Sequence, residues 1–111
     1  VRADCTVKAL AAVAAIEYEL ANSIAQDAGR IAGRGFSSAS LIKEAKSRGV
    51  TFSKLRFTGK TLNKFLQANP VGRFYVRKKG HAFAVCDGVV SDATPRGVIV
   101  QAAWKFSGVT A

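Results

Sequence analysis

The sequence predicts an α+β fold in which a buried N-terminal helix packs on a C-terminal antiparallel sheet of about four strands. Three observations predict it. Thr6 through Ala28 contain neither Gly nor Pro, as a helical segment requires. From Arg73 to Phe106 the chain is rich in Val, Phe, Tyr and Ile and is interrupted by Lys79-Gly80, Asp87-Gly88 and the Thr94 to Gly97 segment, which is the chemistry of strands joined by tight turns. Helices come first and strands second, an order that segregates the two rather than alternating them.

The elements follow in chain order. Asp4 is a good N-cap, so the helix begins at Cys5 and runs towards Gly29 with a break near Ile16. Between Val7 and Ile16 only Lys8 is charged; a helix apolar on nearly every face is packed by other elements all round. Gly29 to Gly35 reads as a basic loop near the cleft, without the Lys-Ser/Thr ending or the preceding strand of a phosphate-binding loop. Ser38 or Ser40 caps a short helix through Leu41, Ile42 and Ala45 that stops at Gly49. Val50 to Phe57 is a weak strand. Thr61 caps a further short helix carrying Leu62, Phe65 and Leu66, and Asn69-Pro70 ends it because the residue before proline avoids the α region. The strands are Arg73–Arg77, His81–Cys86, Val89–Asp92 and Val98–Phe106. No internal repeat or low-complexity tract interrupts this order.

With 111 residues, 49% of them hydrophobic and 9% aromatic, the chain is a single folded domain spanning 1–111, and its composition excludes disorder. The apolar run from Val7 to Ile16 is too short to span a bilayer, so no membrane partner is expected, and the chain reads as mature, cytosolic-type sequence. Seventeen basic residues against seven acidic ones give a net charge of +10. The imbalance is concentrated: no Asp or Glu occurs from Ala45 to Cys86, where ten Lys and Arg residues lie. Such a field attracts nucleic acid or an acidic protein. Arg77, Lys78 and Lys79, which precede Gly80 in a turn, are the candidate contacts to an anionic partner. Phe52, Phe57, Phe65, Phe74 and Tyr75 interleave with these charges, but their positions fit core packing better than stacking on bases, and Trp104 reads as a sheet-to-helix packing residue.

Cys5 sits at the predicted start of a helix, where backbone N–H groups and the helix dipole favour a thiolate and could hold an oxyanion. His81 is the chain's only histidine. If Asp87-Gly88 forms a two-residue turn, Cys86 pairs with Val89, Val85 with Val90, Ala84 with Ser91 and Phe83 with Asp92. His81, Phe83, Val90 and Asp92 then share a face, so Asp92 rather than Asp87 is the carboxylate behind the imidazole. The same alternation turns Cys86 away from that face, leaving Cys5 as the candidate nucleophile and both cysteines as free thiols. One His and two separated Cys are too few for tetrahedral zinc; no metal and no cofactor are expected.

Asp-Cys-Thr-Val-Lys-Ala-Leu at 4–10, Thr-Leu-Asn-Lys-Phe-Leu at 61–66, Gly-Arg-Phe-Tyr-Val-Arg at 72–77, Gly-His-Ala-Phe-Ala-Val-Cys-Asp-Gly at 80–88 and Ala-Ala-Trp-Lys at 102–105 resemble a family of small papain-like cysteine-peptidase-like proteins of bacteriophages and prophages. The resemblance implies a papain-like fold with the thiol on the central helix and the His and Asp on the sheet. It carries Cys5, His81 and Asp92 onto matching motifs as a Cys-His-Asp triad acting on an acyl or peptide bond of a peptide or protein substrate. It also implies a location in the bacterial host cytoplasm or the phage virion. The alternative from a different class is a non-enzymatic basic phage protein that keeps the fold and uses its charge, as a virion component near packaged DNA or as an inhibitor of an acidic host protein.

Overall fold

The computed structural model describes residues 5–29, 38–57, 59–92 and 94–109. Asp4, expected to cap the first helix, and the Gly-Arg-rich loop from 30 to 35 lie outside them. Among the described residues are four helices: α1 (Cys5–Ala14), α2 (Tyr18–Asp27), α3 (Ser38–Ser47) and α4 (Leu62–Ala68). The strands are β1 (Val50–Lys54), β2 (Lys60–Thr61), β3 (Arg73–Lys78), β4 (His81–Cys86), β5 (Val89–Val90), β6 (Ile99–Val100) and β7 (Ala102–Val109). Five of them form an antiparallel sheet in the order β1-β7-β3-β4-β5, while β2 and β6 pair as a separate ribbon. The α+β class stands, with α1, α2 and α3 on one face of a largely C-terminal sheet and α4 on the other.

The predicted first helix is two helices. Ala15 takes a left-handed conformation at φ 56°, and the Ile16 N–H donates to the Ala11 carbonyl at 3.1 Å. That six-to-one bond across a left-handed residue is a Schellman closure, here with Ala where Gly is usual. Ala11 and Ile16 both pack against the core, so a hydrophobic contact holds the stop in place of a glycine.

The sheet is larger than the four strands expected, and its last strand is divided. Val50–Lys54 joins the sheet as an edge by pairing with β7, from Val50 opposite Val109 to Lys54 opposite Trp104. The predicted Val98–Phe106 strand splits at Gln101. Its first part leaves to pair with β2, and its second part inserts between β1 and β3. At the split the Gln101 N–H donates to the Arg77 carbonyl at 2.8 Å, so the crossing backbone is not left unsatisfied.

Side-chain alternation assigns the two faces of the sheet. Tyr75, Ala82, Ala84, Ala102 and Trp104 point to one face and pack with Val7, Leu10, Val13, Ile24 and Leu41 of the first three helices. Phe74, Val76, Phe83, Val85 and Ala103 point to the other and pack with Leu62, Phe65 and Val100 of α4 and the ribbon. Alanines at 82, 84 and 102 let α1 come close to the strands, which explains why its apolar residues cover so much of its circumference. The aromatic residues fill these cores as expected: Phe65, Phe74 and Tyr75 are fully buried or nearly so, and Phe57, Phe65 and Phe74 form successive edge-to-face contacts at 5.1 and 5.2 Å.

Candidate active site

The β4–β5 hairpin carries the site, and its turn fixes the register. Asp87 and Gly88 both have positive φ, 50° and 82°, the conformation of the two-residue turn that follows the right-handed strand twist. Cys86 therefore pairs with Val89 and Val85 with Val90. Regular strand ends at Val90, yet the pairing continues one step further: the Ser91 N–H donates to the Ala84 carbonyl at 2.8 Å and the Ala84 N–H to Ser91 Oγ at 3.0 Å.

That extension delivers Asp92 to His81. His81 Nε2 and Asp92 Oδ2 are 2.6 Å apart, a charge-assisted distance. The second carboxylate oxygen accepts from the Thr94 N–H at 2.9 Å and from Thr94 Oγ1 at 2.5 Å. Burial is the largest single influence on Asp92 and raises its pKa, but the bonds from Thr94 and His81 together outweigh it and hold the carboxyl below its ordinary value. An ionised carboxylate can only accept, so the ring nitrogen facing it, Nε2, is the donor, and Nδ1 is the nitrogen left for other partners. The ring stacks on Phe83, centroids 5.9 Å apart and planes inclined by 24°. Asp87 does different work: its Oδ1 accepts from the Gly72 N–H at 2.8 Å and its own N–H donates to the Gly72 carbonyl at 2.8 Å, tying the hairpin tip to the entry of β3.

Thr94 is a site residue that the sequence reading passed over as part of a turn. The signal was present: an Asp accepting from the N–H two residues on is an Asx turn, and Asp-x-Thr before a proline is a pattern that makes one.

Cys5 is the first residue of α1 and is half-buried against the core on the Tyr75 face. The direction of α1 sets which end of the sheet the thiol reaches. Arg73 Nη1, at the far end of β3, donates to the Ala12 and Val13 carbonyls at the C-terminal end of α1, at 3.1 and 3.3 Å. The C-terminal end of α1 is thus at the Arg73 end of β3, and Cys5 is at the other end of the helix. The thiol is on the helix-covered face of the sheet and the imidazole on the Phe83 face, and no contact joins the two among the described interactions. The Tyr75 phenol, which shares a 2.9 Å hydrogen bond with Ser38 Oγ, is within electrostatic range of Cys5; burial pushes its pKa far above the ordinary tyrosine value. Cys86 pairs across the sheet with Arg73 and Val89, and both cysteines are free.

The three basic residues expected to form an exposed turn are not equivalent. Arg77 is half-buried and donates to Gln101 Oε1 at 3.0 Å, half-buried Lys78 donates to the Lys79 carbonyl at 3.1 Å, and Lys79 is exposed. Arg77 belongs to the wall of the sheet end rather than to the free surface.

Among the described residues no helix is long and apolar enough to cross a membrane. No protein-family profile, curated protein or solved structure matches the chain.

Proposed function

We propose that the protein is a papain-like thiol hydrolase that cleaves an acyl or peptide bond through Cys5, His81 and Asp92. The observation that carries this reading is the 2.6 Å contact between His81 Nε2 and Asp92 Oδ2, with the carboxylate locked from behind by Thr94. A base whose outer nitrogen is held by an ionised, anchored carboxylate is oriented for proton transfer through its other nitrogen. Gly80, at φ 76°, lets the chain turn tightly into β4, which begins at His81.

In this mechanism His81 Nδ1 takes the proton from Cys5 Sγ, and the thiolate attacks the substrate carbonyl carbon. The tetrahedral oxyanion is held by N–H groups at the start of α1. Collapse expels the amine, which receives the proton from the imidazolium, and leaves a thioester on Cys5. Water, deprotonated by His81, then attacks the thioester and releases the acid and the thiol. Asp92 keeps its charge throughout and stabilises the imidazolium.

Alkylation by iodoacetamide, mapped by mass spectrometry, tests the reading, with Cys86 as the internal reference. Cys5 is expected to react about tenfold faster than Cys86 near neutral pH, and His81→Gln to remove most of that advantage. Equal rates at the two cysteines, unchanged by His81→Gln, would sink the proposal.

A further inference from the structure

We infer that the cleft at the β1 exit is a subsite for the carboxylate side chain of an acidic residue in a peptide substrate. The cleft has a volume of about 520 Å³ and is lined by Lys54, Leu55, Arg56, Phe57, Gln101 and Ala102. Two of its walls are cationic. Arg77 adds a third cation behind the lining, because its guanidinium donates to Gln101 Oε1 and it pairs across the sheet with Ala102.

None of these three cations has a carboxylate partner among the described residues. The acidic side chains described in the structure are committed or remote: Asp27 and Glu44 pair with Arg48, Asp92 holds His81, Asp87 holds Gly72 at the far end of the sheet, and Glu17 and Glu19 lie at the start of α2. Lys54 is also held in place, with Nζ 5.5 Å from the centroid of the Trp104 ring. The remaining walls, Leu55, Phe57 and Ala102, are apolar. Cationic and apolar side chains lining one cleft fit one carboxylate and its methylene stem better than a phosphodiester backbone, which needs a charged track rather than a pocket.

The position relates the cleft to the reaction. The exit of β1, the entry of β7, the exit of β3 and the entry of β4 all lie at one end of the sheet. From the cleft to β4 is two to three inter-strand spacings, roughly 10–14 Å, the reach of about three or four extended residues. A peptide laid across this end with its scissile bond beside His81 places an acidic residue that far along in the cleft. The word substrate rests on the thiol-hydrolase reading; binding of the acidic residue does not.

Isothermal titration calorimetry on the full chain tests this without requiring turnover, so its failure and that of the hydrolase reading register in different measurements. The probes are acetylated pentapeptides of Gly, Leu and one central Glu, the same peptides with Gln, and a short oligothymidine. The Glu peptide is expected to bind about fivefold or more tightly than the Gln peptide at low salt, and Lys54→Gln with Arg56→Gln to erase the difference. Equal affinity of the two peptides for the unmodified protein would overturn the inference with no variant needed. Tighter binding of the oligothymidine, lost in the same double variant, would overturn it in favour of a phosphodiester ligand.

Discussion

In the proposed hydrolase Asp92 decides whether His81 can act as a base, and its effect is separable from its bulk. Asp92→Asn keeps the shape but offers an amide that can present a donor to the ring, which frees the imidazole to adopt the wrong tautomer. A fall in turnover of roughly a hundredfold to ten-thousandfold is expected, with little change in substrate affinity. The same residue leaves a mark on stability. Because its folded-state pKa lies below the ordinary value, its contribution is fully present above the unfolded value of about 4 and is lost as pH falls through the folded value. Urea denaturation of wild type and Asp92→Asn should therefore differ near pH 6 and converge in strong acid; a gap that widens as pH falls would contradict the assignment. The choice of Asp92 over Asp87 was legible because a two-residue turn at Asp87-Gly88 leaves one possible register. Thr94 was not, since its role depends on a local turn that strand alternation does not encode.

At the scale of elements, the caps are where sequence and structure can be compared term by term. Thr61 was legible as a cap, and its Oγ1 accepts from the Lys64 N–H at 3.2 Å; Thr61→Ala should cost about 1 kcal/mol. The end of α1 was legible only as a break near Ile16, because an alanine in the left-handed region announces nothing in sequence. That residue is strained by about 1–2 kcal/mol. Glycine would relieve the strain but add entropy to the unfolded chain. Ala15→Gly should therefore raise stability by about 0.5 kcal/mol, read as a higher urea midpoint at unchanged slope; a loss would mean the α1–α2 corner is held by a contact of the Ala15 methyl. The division of the last strand at Gln101 was hidden for a different reason. Apolar β-branched residues run through Val98, Ile99 and Val100, and local pattern cannot say that β6 pairs with β2, some forty residues earlier, while β7 pairs with β1 and β3. Edge strand β1 was underestimated because only Val50 is fully buried and its exit is exposed, so its alternation carries half a signal.

Across the whole molecule, the charge that the sequence reports as a single number has a direction. Glu17, Glu19, Asp27 and Glu44 belong to or adjoin the helices on the Tyr75 face, whereas the α4 and ribbon layer on the opposite face exposes Lys60, Lys64 and Arg96 with no acidic residue among its described members. This asymmetry favours the alternative reading of a basic binding protein, and it relocates the test of that reading. Reversing Arg77 would remove the Gln101 bond at the sheet end as well as a charge, confounding a loss of binding with a loss of structure. Lys60, Lys64 and Lys79 are exposed, so Lys60→Glu, Lys64→Glu and Lys79→Glu change the field at little structural cost. If this layer lies on a nucleic-acid backbone, duplex DNA binding should weaken linearly on a log–log plot against salt, and each lysine that contacts a phosphate should contribute a slope of about 0.9. The triple reversal should then flatten the slope by about 2–3. An unchanged slope would show that any DNA affinity comes from the diffuse +10 charge rather than from a docking face. Thiol alkylation at Cys5 reads the hydrolase hypothesis in the same variants, and because Lys60 and Lys64 project from β2 and α4, a loss of alkylation in Lys60→Glu with Lys64→Glu, without Lys79→Glu, would argue that the basic layer and the thiol serve one site.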